Sequence, residues 1–254
     1  MTEGVQRIDT DGVIELRFTR PDKKNAITAA MYRAMTDALS DAAARDDIAA
    51  VLLSGEGDSF SAGNDLKDFM SGPQGASAAM EFVMAIAAFG KPIVAAVQGQ
   101  AVGIGTTMLL HCDLVYAAPD ARFTVPFAKL GLVPEAASSL LLPARIGQAK
   151  AAAMFLLGEP LDAGGAEKAG LVTAVVPADA LLDHARAKAA ALTQMPPQAL
   201  ARTRALMRRD PAEVLARAKQ EQGQFAEALA GAEAKEAFAA FFEKRAPVFR
   251  KTGD

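Results

Sequence analysis

Glu135 stands alone among small and apolar residues in Leu132-Val133-Pro134-Glu135-Ala136-Ala137-Ser138-Ser139. A carboxyl surrounded by apolar side chains is harder to ionise, which lifts its pKa toward neutrality and suits it to take up and return one proton. By itself such an acid reads first as a first-turn residue favoured by a helix dipole. Two glycine-bearing segments upstream shift that balance. In Ser59-Phe60-Ser61-Ala62-Gly63-Asn64-Asp65-Leu66-Lys67-Asp68-Phe69, a turn of small residues follows a strand-like run, and small residues let a ligand reach backbone amides. In Gln98-Gly99-Gln100-Ala101-Val102-Gly103-Ile104-Gly105-Thr106-Thr107, a strand runs through glycines into a helix start, where free N–H groups favour developing negative charge. A dinucleotide-binding reading of these glycines fails, because Met108 occupies the place of the third small residue. Amide donors and one carboxylate are the parts needed to remove a proton beside a carbonyl.

The elements that must hold these residues alternate. Strands are predicted over 5–9 and 13–18, joined at Asp11-Gly12, a strong hairpin signal. Thr28 has the chemistry of an N-cap for a helix over 29–45, in which Met31, Met35 and Leu39 recur at helical spacing. The apolar run 50–53 predicts a buried strand. A helix over 76–89 ends at Lys91-Pro92, and 93–97 reads as a second buried strand. Further along, 103–110 reads as a helix, 114–116 as a strand, 123–125 as a short extended piece, and 135–145, 149–157 and 163–169 as helices. The stretch 70–80, with Ser71-Gly72-Pro73-Gln74-Gly75, reads as a flexible loop over the pocket, whose depth it would set together with Phe69, Phe82 and Phe127. From 178 onward the pattern is almost wholly helical, and stripes such as Phe225, Leu229, Phe238, Phe241 and Phe242 suit core or subunit contacts.

Composition narrows the classes. With 254 residues, 51% hydrophobic and 22% charged, the chain can bury a sizeable core, and a net charge of −3 gives no electrostatic reason to expect nucleic acid or an anionic membrane. No apolar run approaches the roughly 18 residues of a membrane span. A single cysteine, Cys112, excludes an internal disulfide and fits a reducing compartment. No secretory or peroxisomal signal stands out, so the expected location is the cytoplasm. His111, His184 and Cys112 lack ligand-spaced or base companions, so no metal site and no cysteine nucleophile is expected.

Four stretches together, SAGNDLKDF (61–69), QGQAVGIG (98–105), CDLVYAAPDARFTVPF (112–127) and PEAASS (134–139), resemble the crotonase superfamily, also called enoyl-CoA hydratase/isomerase. The resemblance spans residues 5–250. It implies an α/β fold, a spiral of ββα units over 1–195, followed by a helical region over 196–254 that caps the core and builds trimers or hexamers. It implies that the backbone N–H groups of Asn64 and Ile104 form an oxyanion hole for the thioester of an acyl-CoA. Hydratases of this superfamily use two glutamates at positions held here by Thr107 and Phe127, neither of which can act as a base. Glu135 instead matches the catalytic carboxylate of monofunctional 3-enoyl-CoA to 2-enoyl-CoA isomerases. Residues expected to contact substrate or coenzyme A are Ala62, Asp65, Leu66, Lys67, Lys24 beside Lys23, Phe127, and Phe241 and Lys244 reaching across a subunit boundary. Coenzyme A belongs to the substrate, and no separate cofactor is expected. Another crotonase reaction, such as hydration or a dienoyl or ring isomerisation, and a noncatalytic acyl-CoA-binding module are the alternatives.

Overall fold

The computed structural model describes residues 4–70 and 73–249. β1 (Val5–Thr10) and β2 (Val13–Phe18) form an antiparallel hairpin that turns at Asp11 and Gly12, with φ of 45° and 85°. Asp-Gly tolerates the positive φ that such a tight turn requires at both central residues. α1 (Ala29–Ala44) follows, its first turn capped by the Thr28 hydroxyl, which accepts the Met31 N–H at 3.3 Å. Then come β3 (Ala50–Gly55), the short α2 (Leu66–Met70), α3 (Pro73–Ala88), β4 (Ile93–Val97), β5 (Gln100–Val102) and α4 (Ile104–Thr107). β6 (Leu114–Ala117) and β7 (Arg122–Thr124) lead to α5 (Ser138–Ile146), α6 (Gln148–Leu157), β8 (Leu161–Asp162), α7 (Ala163–Ala169), β9 (Ala174–Val175) and α8 (Leu181–Thr193). The chain closes with α9 (Pro197–Met207), α10 (Pro211–Ala230) and α11 (Ala232–Glu243).

The main sheet runs β1-β2-β3-β4-β6-β9, and every pairing from β2 onward is parallel. Helices cover both of its faces, which is why β3 and β4 read as continuous apolar runs rather than alternating ones. On one face Leu52, Val94 and Tyr116 pack against Leu181, Ala185 and Ala189 of α8. The larger core lies on the other face under α1 and α3, and Val214 and Ala218 of α10 belong to it. A second sheet runs β5-β7-β8. It is continued by single bridges from Ala101 to Ser61 and from Asn64 to Ile27. β4 and β5, then β6 and β7, each give one strand to the main sheet and the next to the second sheet, which is the ββα spiral.

Three expectations need correction. No helix begins at Glu135: Ala136 and Ala137 adopt left-handed φ of 60° and 56°, which an α-helix cannot contain, and α5 starts at Ser138. The helix expected over 76–89 begins at Pro73, so 73–80 is helical rather than a loop; proline at a first helical position loses no intrahelical hydrogen bond. Ser71 and Gly72 lie outside the described residues. The helix expected over 103–110 is a single α-turn, α4, followed by a 3₁₀ turn over Met108–His111. The two-residue strands β8 and β9 are too short for any periodic signal.

Candidate active site

Two amide-bearing turns are laced together. Ser61 bridges Ala101 through Ser61 N–H to Gln100 O (2.9 Å) and Val102 N–H to Ser61 O (2.9 Å). Gly63, at φ +88°, lies so close to the second turn that a Cβ there would stand 2.8 Å from the Val102 carbonyl oxygen, and a Cβ on Gly105 would stand 2.8 Å from Ser61 O. Glycine at both positions is therefore a condition of contact between the turns.

The direction of the Asn64 amide follows from strand geometry. Its bridge to Ile27 uses the Gly63 carbonyl, which accepts Ile27 N–H at 2.8 Å, and the Asp65 N–H, which donates to Ile27 O at 2.9 Å. In a parallel pairing the residue between those two groups points its own N–H to the opposite side. Ile104 is the first residue of α4, so its N–H has no intrahelical acceptor. Asn64 and Ile104 thus each carry an amide with no acceptor among the described residues, on turns that touch, and the second stands at a helix N-terminus.

Glu135 lies half-buried on the wall of a cavity of about 110 Å³. Met80 and Val83 of α3 and Phe225 and Leu229 of α10 supply its apolar lining. Burial, and next the nearby charge of Glu221, push the Glu135 carboxyl up to about 8. Tyr32 of α1 lies beside the first amide turn: its hydroxyl donates to the Asn64 side-chain oxygen, and its own pKa is raised by burial first and by the charge of Glu135 second. A neutral phenol is thereby kept as a donor beside the Asn64 turn. Behind the base, His111 is buried, its pKa pushed down to about 4 by burial, and the neutral ring donates from Nε2 to the Ala136 carbonyl at 2.9 Å. The Cys112 thiol is pushed up to about 12 by burial and is no nucleophile. His184 packs edge-on against Tyr116.

The other expected residues divide. Ala62 donates its N–H to the Lys24 carbonyl at 2.8 Å, so Lys24, with an exposed side chain, borders the first amide turn. The Asp65 carboxylate is committed to Arg20 at 3.1 Å and to the Asp68 N–H at 3.3 Å. Leu66 opens α2 half-buried and Lys67 is exposed. Thr107 is buried, and its hydroxyl has no hydrogen-bond partner among the described residues. Phe127 is buried against Phe155 (6.4 Å between ring centroids) and does not line the Glu135 cavity. Phe241 and Lys244 stand exposed at the end of α11, Phe241 edge-on to Phe242. A larger cavity of about 320 Å³ under α9, lined by Arg145, Arg204 and Arg208, contains none of these residues.

Sequence reasoning missed Tyr32, His111 and Glu221 as parts of this site. Glu221 did leave a trace, because an acid at 221 interrupts the apolar stripe Val214, Ala218, Phe225 on one face of α10.

The enoyl-CoA hydratase/isomerase family model matches residues 9–252. The chain belongs to the enoyl-CoA hydratase/isomerase family. Among relatives in this family, it is 38% identical over 229 residues to enoyl-CoA delta isomerase 2 of Rattus norvegicus, covering 87% of this chain and 58% of that protein. The chain thus spans little more than half the length of that relative. It is 32% identical to 2,3-dehydroadipyl-CoA hydratase of Escherichia coli K12, over 94% of this chain and 95% of that one. The crystal structure of an enoyl-CoA hydratase/isomerase from Pseudoalteromonas atlantica T6c matches with a TM-score of 0.93 at 46% identity, covering 98% and 100% of the two chains. The crotonase fold expected from the motifs is the fold of this enoyl-CoA hydratase/isomerase family member.

Proposed function

We propose that this chain is an acyl-CoA double-bond isomerase that converts 3-enoyl-CoA to trans-2-enoyl-CoA. The observation that carries the reading is a single carboxyl, Glu135, held near neutrality at about 8 in an apolar cavity whose described lining contains no second acid. One base suffices for a 1,3-proton transfer: Glu135 removes a proton from C2, the Asn64 and Ile104 amides hold the dienolate oxygen, and the same carboxyl returns the proton at C4. Each such amide donor is typically worth about 10²–10³ in rate. Hydration needs a second group to position water, and Thr107 and Phe127 supply no carboxylate where the family's hydratases carry theirs.

Ala62, Leu66, Lys67, Lys24 and Phe127 are the residues of this subunit proposed to border the acyl-CoA, with Phe241 and Lys244 completing the coenzyme site of a neighbouring subunit. Asp65 acts there through its backbone and its ion pair with Arg20 rather than as a free charge. The proton transfer requires no cofactor beyond the substrate's own coenzyme A. Residues 1–195 carry the chemistry, and 196–254 cap it and assemble the oligomer, a trimer or a dimer of trimers. The buried, unpaired Cys112 suits the cytoplasm. Among the described residues no helix is long and apolar enough to cross a membrane.

The test is turnover of a series of 3-enoyl-CoA thioesters, followed by the ultraviolet absorbance of the conjugated product, with wild type and Glu135→Gln. The expected loss is about 10²–10⁴-fold for removal of the general base. Unchanged turnover in the variant, or 3-hydroxyacyl-CoA as the main wild-type product, would overturn the reading.

A further inference from the structure

Glu221 of α10 is a buried acid, only 5% exposed, whose charge reaches the half-buried Glu135. One of its oxygens accepts both the backbone N–H of Ser139, at 2.9 Å, and the Ser139 hydroxyl, at 2.5 Å. Its other oxygen is buried without a hydrogen-bond partner among the described residues. Arg217, one helical turn earlier, reaches the same hydroxyl at 3.1 Å. Burying a carboxylate on an otherwise apolar face is costly, and here it serves one segment: the start of α5, directly after the two left-handed alanines that follow Glu135. Neighbours of Glu221 on α10, Ala218, Gln222 and Phe225, line the Glu135 cavity itself.

We propose that Glu221 is a positioning residue for the Glu135 base: from α10 it clamps the turn that carries Glu135, and its buried carboxylate sets the charge that the base faces. This rests on the isomerase reading of the same site. The two acids are unequal in donors. Burial raises the Glu221 carboxyl too, but the two Ser139 donors and Arg217 pull it back down, so it takes the negative charge before Glu135 does. Glu135, with no such donors, keeps its proton to higher pH, as when two neighbouring carboxyls are pushed apart by their surroundings. The other titratable groups around Glu135 are Tyr32 from α1 and His111 from the 3₁₀ turn after α4, both neutral near pH 7, while the residues of α3 that line the cavity are apolar.

The experiment compares wild type, Glu221→Gln, Glu221→Ala and Ser139→Ala, using 3-hexenoyl-CoA as probe. In Glu221→Gln the amide keeps the volume and loses the charge, so the acid limb of kcat/KM moves down by about one pH unit, because a like charge has been removed from the base. Glu221→Ala loses the clamp as well and drops kcat about tenfold or more, and glutamine restores most of that loss. Ser139→Ala keeps the charge and removes one leg of the clamp, lowering kcat several-fold with the limb in place. A limb that stays put in Glu221→Gln overturns the charge role; unchanged kcat in both alanine variants overturns the clamp. Carboxyl-labelled glutamate NMR without substrate provides the separate arm, with the Glu135 signal assigned by its loss in Glu135→Gln. Its midpoint must fall in Glu221→Gln, and an unmoved midpoint sinks the proposal. If wild type turns over no 3-enoyl-CoA, the isomerase reading has failed and this titration still decides the role of Glu221.

Discussion

At the scale of single residues, the base and the fold make opposite demands. Glu135 works only after losing its proton, so kcat/KM should rise with pH and level off above about 8, its value in the folded chain. Stability moves the other way. Between an unfolded value near 4.5 and the folded value of about 8, the folded chain keeps a proton that the unfolded chain has released, so stability present at low pH is lost as pH rises through that window. Glu135→Gln should therefore lower turnover by about 10²–10⁴-fold and also raise Tm at pH 7, each kcal/mol relieved being worth roughly 2–4 °C. A lowered Tm in scanning calorimetry would contradict a base whose ionisation the fold opposes. Tyr32→Phe removes the hydroxyl that donates to Asn64 and should cost about 1 kcal/mol in urea unfolding, with a modest loss of kcat.

At the scale of elements, the site depends on two turns in contact and on one irregular turn. Gly105→Ala would place a methyl 2.8 Å from the Ser61 carbonyl oxygen, and backbone on both sides cannot give way cheaply. The expected result is α4 pushed off the first turn, its amide misaimed, and kcat lower by about 10²; wild-type kinetics would show that the amide pair tolerates displacement. The turn 135–137 departs most from what local propensity suggests, since Ala136 and Ala137 both hold left-handed φ. Alanine is a strong helix former, and the left-handed conformation costs it roughly 1–2 kcal/mol per residue. What overrides it is tertiary: His111 takes the Ala136 carbonyl, Glu221 takes the Ser139 amide, and both alanines are fully buried. Ala137→Val should therefore destabilise by more than 2 kcal/mol, roughly twice a typical substitution, as a β-branched side chain tolerates this region less well still. Equal denaturation midpoints would refute the strain.

At the scale of the whole molecule, the exposed apolar residues gather in the later helices. Leu206 and Met207 are 88% and 80% exposed, Leu156 is 72% exposed and Phe241 59%. Side chains of this size left in water mark surfaces that associate. We expect light scattering to give a mass three or six times the 26.4 kDa of one chain. A Leu206→Asp/Met207→Asp variant should shift toward the single-chain mass, and if Phe241 and Lys244 complete a neighbour's coenzyme site, its KM should rise with dissociation. A monodisperse single chain with full activity would remove the assembly role assigned to residues 196–254.

The sequence by itself determined the alternation of strands and helices, the two glycine turns and the lone acid, because these rest on apolar periodicity, proline and glycine punctuation and residue chemistry, all of which are local. It also pointed to the family, since four short stretches carry that family's pattern. Only the tertiary structure decided where the chemistry stands. The contact of Gly63 with Val102 and of Gly105 with Ser61 joins residues about forty apart in the chain, and the charge of Glu135 acts on Tyr32 across more than a hundred positions. Glu221 reaches the turn that carries Glu135 only because α10 folds back over α3 and α5. Hydrogen bonds, desolvation and charge coupling act through space, so no window of sequence contains the partners that raise the pKa of this base and hold its turn out of the helix.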